Sequence, residues 1–216
     1  DLIDEPWIDA REVRDLVEAA GEALRKAGAK VHYNVRPEFD PAEAHETYQR
    51  LLMALMAPPG DAYREMVARA ATLDPADRGP YAQQLRWSTA SYREFAIAAN
   101  AREHLRWAWR RFFDDFDVLL APVTATAAIP HDHSQPMGVR TMIVNGSEVP
   151  YFGQLFWAGL VVASYLPATV APVGRTASGL PIGVQVIGPE MGDRTTIWTA
   201  GQLGQLLGGF TPPPGY

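Results

Sequence analysis

Residues 176–190 read Thr-Ala-Ser-Gly-Leu-Pro-Ile-Gly-Val-Gln-Val-Ile-Gly-Pro-Glu, and this stretch decides the fold. Pro181 has no N–H to give to a ladder, so it belongs at the start or edge of a strand. Gly179 permits a positive φ in the turn before that strand. Gly183 lets a neighbouring backbone approach closely, and Gln185 sets one polar group among Val184 and Val186. The stretch reads as a turn feeding an apolar strand, with a single polar side chain on one face.

The sequence on either side extends this strand-rich texture. Residues 175–179, Arg-Thr-Ala-Ser-Gly, suit a hairpin connection to the preceding apolar run that ends at Gly174. The segment from Phe116 to Val123 is a short buried strand ended by Pro122, and residues 124–141 read as loop. Asn145-Gly146 between two apolar runs is a strong hairpin signal. Tyr151 to Val173 is the most apolar segment; it carries Pro167 and Pro172 and reads as strands and loops. A terminal helix with Asp193 as its cap closes the pattern, followed by a proline-rich tail.

The first half reads differently. Val13, Leu16, Val17, Ala20 and Leu24 follow a helical i, i+3, i+4, i+7 stripe. Asp9 is the expected N-cap, with Glu12 completing a capping box, and Gly28 stops the helix. Lys30–Val35 then reads as a strand. Helix, tight glycine turn and strand form the second half of a βαβ unit, so the chain is expected to begin in the middle of such a unit. Residues 41–112 read as helical. The run from Tyr81 to Phe116 holds no Gly or Pro and is expected to form one long, bent helix, whose aromatic residues pack a core. Residues 1–115 are thus mostly helical, and 116–216 strand-rich with a C-terminal helix, within one domain.

Composition narrows the function. The 216 residues carry a net charge of −6, with 19 cations against 25 acids, which argues against a broad phosphate-binding surface and hence against nucleic acid. There is no cysteine, so thiolate nucleophiles, disulfides and Cys-based zinc sites are excluded. No apolar run is long enough to span a bilayer, and the first residues do not read as a signal peptide; a cytoplasmic location is expected. Of the 19 cations only Lys26 and Lys30 are lysine, leaving few candidates for a catalytic amine. His131 and His133, alternate residues in an extended loop, can share a face and bind a metal, but a third ligand is not evident and loop histidines are ordinarily solvated. Of the six serines none sits in a nucleophile elbow. Neither phosphate-loop glycine pattern occurs.

Three segments, 116–130, 163–174 and 179–197, taken in this order and spacing, resemble the amidase signature family. Residues 7–31 are similar to that family's middle helix–strand segment, and the resemblance is weakest over 40–100. It implies an α/β fold in which a mixed β-sheet is flanked by helices, present here as a C-terminal portion. It also implies cleavage of a carboxamide C–N bond through a serine nucleophile, a second serine and a lysine. Those three residues belong to a Gly/Ser-rich block and an upstream lysine that this sequence lacks, so no catalytic residue is carried over and the chain alone is expected to be inactive. The family position of Thr124, Thr126, Phe152, Trp157 and Gln185 makes them candidates for the substrate pocket, against a structural reading in which Gln185 satisfies buried backbone and Thr124 caps a loop. The expected partners are a small-molecule amide and the N-terminal half of the same protein, with homodimerisation allowed for; no cofactor, metal, nucleic acid or membrane is expected. Two other readings stand beside this one: a non-catalytic binding domain derived from the same fold, and an unrelated α/β enzyme using the His131/His133 loop. Without its missing strands the chain is expected to expose a sheet edge and to aggregate.

Overall fold

A computed structural model describes residues 10–134, 139–213 and 215. The strand anticipated at Pro181 is present as β5 (Pro181–Ile187), the central member of a three-stranded antiparallel sheet. Its neighbours are β1 (Leu119–Pro122) and β4 (Ala168–Arg175), in the order β1-β5-β4. Gly179 adopts φ 86°, as the turn requires. Thr176 closes that turn twice: its N–H donates to the Leu180 carbonyl (2.8 Å), and its Oγ1 accepts from the Leu180 N–H (3.1 Å).

Period-two alternation along β5 sorts its side chains into two layers. Ile182, Val184 and Val186 join a core built with α1 (Arg11–Lys26) and α7 (Asp193–Leu207), including Val13, Ala20 and Leu203. Ile187 turns the other way, with Ala121 of β1, into a core built by α2 (Pro41–Leu55), α5 (Tyr92–Phe112) and α6 (Phe156–Ala163). The result is a helix–sheet–helix sandwich, the α/β architecture that the sequence implied. A separate hairpin, β2 (Thr141–Val144) and β3 (Ser147–Pro150), turns at Asn145 and Gly146 with φ 52° and 81°, the positive values expected of an Asn-Gly turn. No helix among the described residues is long and apolar enough to cross a membrane.

Several local expectations are corrected. Lys30–Val35 is not a strand: no described strand pairs with it, and Asn34 takes φ 58°. A strand persists only where a neighbour accepts its ladder, and here the segment is held by side chains, with Val31 and Tyr33 lying over Gly21 and Val35 against the second core. The long helix over 81–116 is broken into α4 (Pro80–Ser88) and α5. Ser91 causes the break: its Oγ accepts from the Glu94 N–H (3.2 Å), while the Glu94 carboxylate accepts from the Ser91 N–H (2.7 Å). This capping box is legible in sequence as Ser-x-x-Glu. Upstream, α3 (Asp61–Ala71) lies within the stretch 41–112 read as helical. Part of the apolar segment after Tyr151 is helical, a 3-10 turn (Tyr151–Leu155) running into α6. Residues 156–163 contain no proline and are apolar all round, which suits a helix sunk between α2 and the sheet. Its approach to α2 needs Gly159, where a Cβ would stand 2.5 Å from the Tyr48 ring.

Two caps also differ. Asp193 is the first helical residue of α7 and Gly192 its cap; the aspartate still suits the positive end of the helix dipole. Asp9 lies outside the described residues. Ala10 is the N-cap of α1 and its own side chain makes no cap; the Arg11 N–H donates to Asn145 Oδ1 (3.0 Å) at the tip of the distant hairpin.

Candidate functional site

The sheet register sets the site. Ala121 pairs with Gln185 and Pro122 with Val184, so β1 ends beside the middle of β5. Gln185 is 4 % exposed, and a buried carboxamide must find partners. Its Nε2 donates to the Pro122 carbonyl (2.7 Å) and to the Trp157 carbonyl (3.3 Å). One side chain therefore clips the end of β1 to the first turn of α6, across the sheet face. Pro122 and Trp157 lie far apart in sequence, so only the folded chain can supply this pair of acceptors.

Beyond the clip the chain leaves the sheet as a tightly held loop. Thr124 Oγ1 donates to the Thr126 carbonyl (2.7 Å), and Thr126 Oγ1 to the Ala127 carbonyl (2.8 Å). Ala125 is wholly buried, and its carbonyl accepts from the Ala10 N–H (2.6 Å) at the start of α1. Thr126 borders an open cleft of about 820 Å³ between this loop, the β2–β3 hairpin and the β4–β5 turn; Arg140, Tyr151, Ser178 and Leu180 also line it.

The five pocket candidates do not converge on one point. Thr126 opens on the cleft. Phe152 stands half-buried, edge-on to Tyr151 at 6.0 Å, and Tyr151 lines the cleft. Thr124 holds the loop between β1 and Thr126. Gln185 and Trp157 meet through the Trp157 carbonyl. The Trp157 indole points into the core, perpendicular to Phe156 at 5.2 Å, and borders a separate cavity of about 20 Å³ with Trp109 and Phe39. Sequence reading singles out neither Arg140 nor the Asn145–Arg11 bond, which joins positions remote in sequence.

His131 and His133 also line the cleft, with rings edge-to-face at 6.0 Å. Asp132 between them is committed elsewhere: its carboxylate accepts from the Ser134 hydroxyl (2.6 Å) and N–H (2.8 Å), bonds that hold it below the usual carboxylate range. Among the described residues no three His, Asp or Glu side chains are placed to share a metal ion.

A second ordered region ties α5 to the far end of β5. Arg106 pairs with Glu103 (2.8 Å) and with Glu190 (2.7 Å), and Arg102 lies 4.7 Å from the Tyr165 ring centre. Tyr165 sits at φ 57° after α6, a conformation uncommon for a bulky residue. These contacts fix the corner from which β4 departs.

Comparison with known proteins follows the same outline. The chain is 27 % identical, over 94 % of its length, to a glutamyl-tRNA(Gln) amidotransferase subunit of Halothermothrix orenii, and spans 44 % of that protein. It superposes on a crystal structure of an amidase with TM-score 0.68 at 19 % identity, covering 93 % of this chain and 43 % of the other. A bacterial aryl acylamidase of the amidase signature family gives TM-score 0.65 at 22 % identity, with 92 % and 41 % covered. At these identities the structures show the fold alone. The chain thus spans less than half the length of each of these relatives. The family model described as Amidase matches residues 4–197, and this chain belongs to the amidase family.

Proposed function

We propose that these 216 residues are the scaffold side of an amidase-type hydrolase, which cleaves a carboxamide C–N bond with a hydroxyl nucleophile supplied by polypeptide outside this sequence. The observation that carries the reading is the Gln185 clip. A buried carboxamide fixes both the loop bearing Thr124 and Thr126 and the start of α6, which is how a pocket wall is held rigid for chemistry. In the reaction so read, a serine oxygen attacks the carbonyl carbon, a lysine passes the serine proton to the departing amine through a second serine, and water hydrolyses the acyl-enzyme. Backbone amides hold the oxyanion. Thr126, Phe152 and the surrounding cleft receive the acyl side of a small amide.

The relatives include an aryl acylamidase and one component of an amidotransferase, so aryl anilides and glutamine are the substrates to try first. The test is release of aniline or ammonia. The isolated chain is expected to release neither. The same residues joined to a segment carrying the Ser-Ser-Lys set are expected to turn over, and Gln185→Ala in that enzyme to lower kcat/KM. Turnover by the isolated chain overturns the assignment. Failure of the joined enzyme on every amide, together with retained binding of amides, favours the second reading, a non-catalytic binding domain on the same fold.

A further inference from the structure

His45 lies on α2 in a place that an ionisable group rarely occupies. It is 9 % exposed, with its ring 5.3 Å from that of Phe156 on α6 and 6.2 Å from that of Tyr48 one turn on. Its Nδ1 is buried and has no hydrogen-bond partner among the described residues. A neutral imidazole tolerates an apolar cage at moderate cost; an imidazolium left without an acceptor does not.

No counter-charge stands ready among the described residues. Helix α6 has no titratable residue. On α2, Glu43 is exposed, and Arg50 is exposed and engaged by Glu46 and by Glu94 of α5. On α4, Arg86 is spent on the Asp74 and Asp77 carbonyls. On α5, Glu94 is held by Ser91, and Arg102 and Arg106 by Tyr165, Glu103 and Glu190. Burial alone sets the direction of the shift, which is downward, to about 4.

The seam that His45 occupies is also a tight one. Gly159 of α6 meets the Tyr48 ring with no room for a Cβ, so α6 cannot slide to make space. Phe156, which contacts the imidazole, immediately precedes Trp157, whose carbonyl is one arm of the Gln185 clip.

We propose that His45 is an acid-sensitive latch: protonation in its aromatic cage parts α6 from α2 and releases the Trp157 carbonyl from Gln185, loosening the loop that carries Thr124 and Thr126. The consequence for substrate rests on the pocket reading above. The acid response does not, and the test reads the latter.

Amide hydrogen exchange on the 216-residue chain, corrected for intrinsic rates, is followed in α6 and over 119–126 from pH 7.5 to pH 5. Opening of the seam is expected to rise on the order of tenfold at pH 5, because the opened imidazole gains a proton that the closed one refuses. In His45→Phe, which fills the cage without titrating, protection in α6 is expected to be independent of pH over this range. Direct NMR titration of the His45 ring in the unaltered protein covers the case in which that variant fails to fold: a midpoint well below the ordinary imidazole value near 6.5 is expected. Unchanged exchange in the unaltered chain, the same acid response in His45→Phe, or ordinary titration of the His45 ring would each overturn the latch.

Discussion

Gln185 is the residue on which the contact between the end of β1 and the start of α6 depends. Removing its side chain leaves the Pro122 carbonyl, and one bond to Trp157, without a donor in a buried place. Gln185→Ala is expected to destabilise the chain by about 1–3 kcal/mol, the usual cost of an orphaned buried polar group, read as a lower urea midpoint. Gln185→Glu places an acceptor against two carbonyls and is expected to cost more than the alanine. Equal stability of all three proteins would show that the clip holds nothing. Gly159→Ala tests packing in the same region: the new methyl meets the Tyr48 ring at 2.5 Å, and overpacking of this kind costs about 1–3 kcal/mol. Much at this scale is legible in the sequence. The turn at Gly179 and the strand start at Pro181 follow from what those residues can and cannot do. The partners of Gln185 are not legible, because two carbonyls remote in sequence are brought together only by tertiary packing.

Among the elements, the break between α4 and α5 is the most informative. Absence of Gly and Pro does not make a helix continuous when a capping box offers a new helix start within it. Ser91→Ala is expected to cost about 1 kcal/mol, with loss of protection confined to the first turn of α5; unchanged stability and unchanged protection in that turn would contradict the capping argument. The Asn-Gly hairpin comes directly from sequence, because that dipeptide supplies two positive φ values at little cost. Lys30–Val35 shows the opposite limit. Its alternation is that of a strand, yet strand formation depends on a partner, and no local pattern says whether one is present. The apolar run after Tyr151 misleads for a related reason: a largely buried helix and a buried strand share one composition.

At the scale of the whole molecule, stability should depend on pH through His45. The imidazole binds its proton near pH 6.5 when unfolded and only near 4 when folded. Between those values the unfolded state holds more protons, so stability falls as pH drops below 6.5 and levels off below about 4. The full span corresponds to about 3 kcal/mol. Urea unfolding at pH 7.5, 6 and 5 is expected to show the decline, and His45→Phe to lack that part of it. The α/β sandwich is legible at this scale through the order of three motifs and not through any one of them. The cleft is not, since it is bounded by a loop, a hairpin and a turn whose mutual placement no sequence pattern encodes.

As read here, this chain shapes a pocket and contributes no nucleophile. The most direct measurement is labelling of the purified 216-residue protein with a fluorophosphonate, which traps activated serines, followed by intact-mass analysis. An unmodified mass is predicted. A stoichiometric adduct on any of Ser88, Ser91, Ser134, Ser147, Ser164 or Ser178 would contradict it.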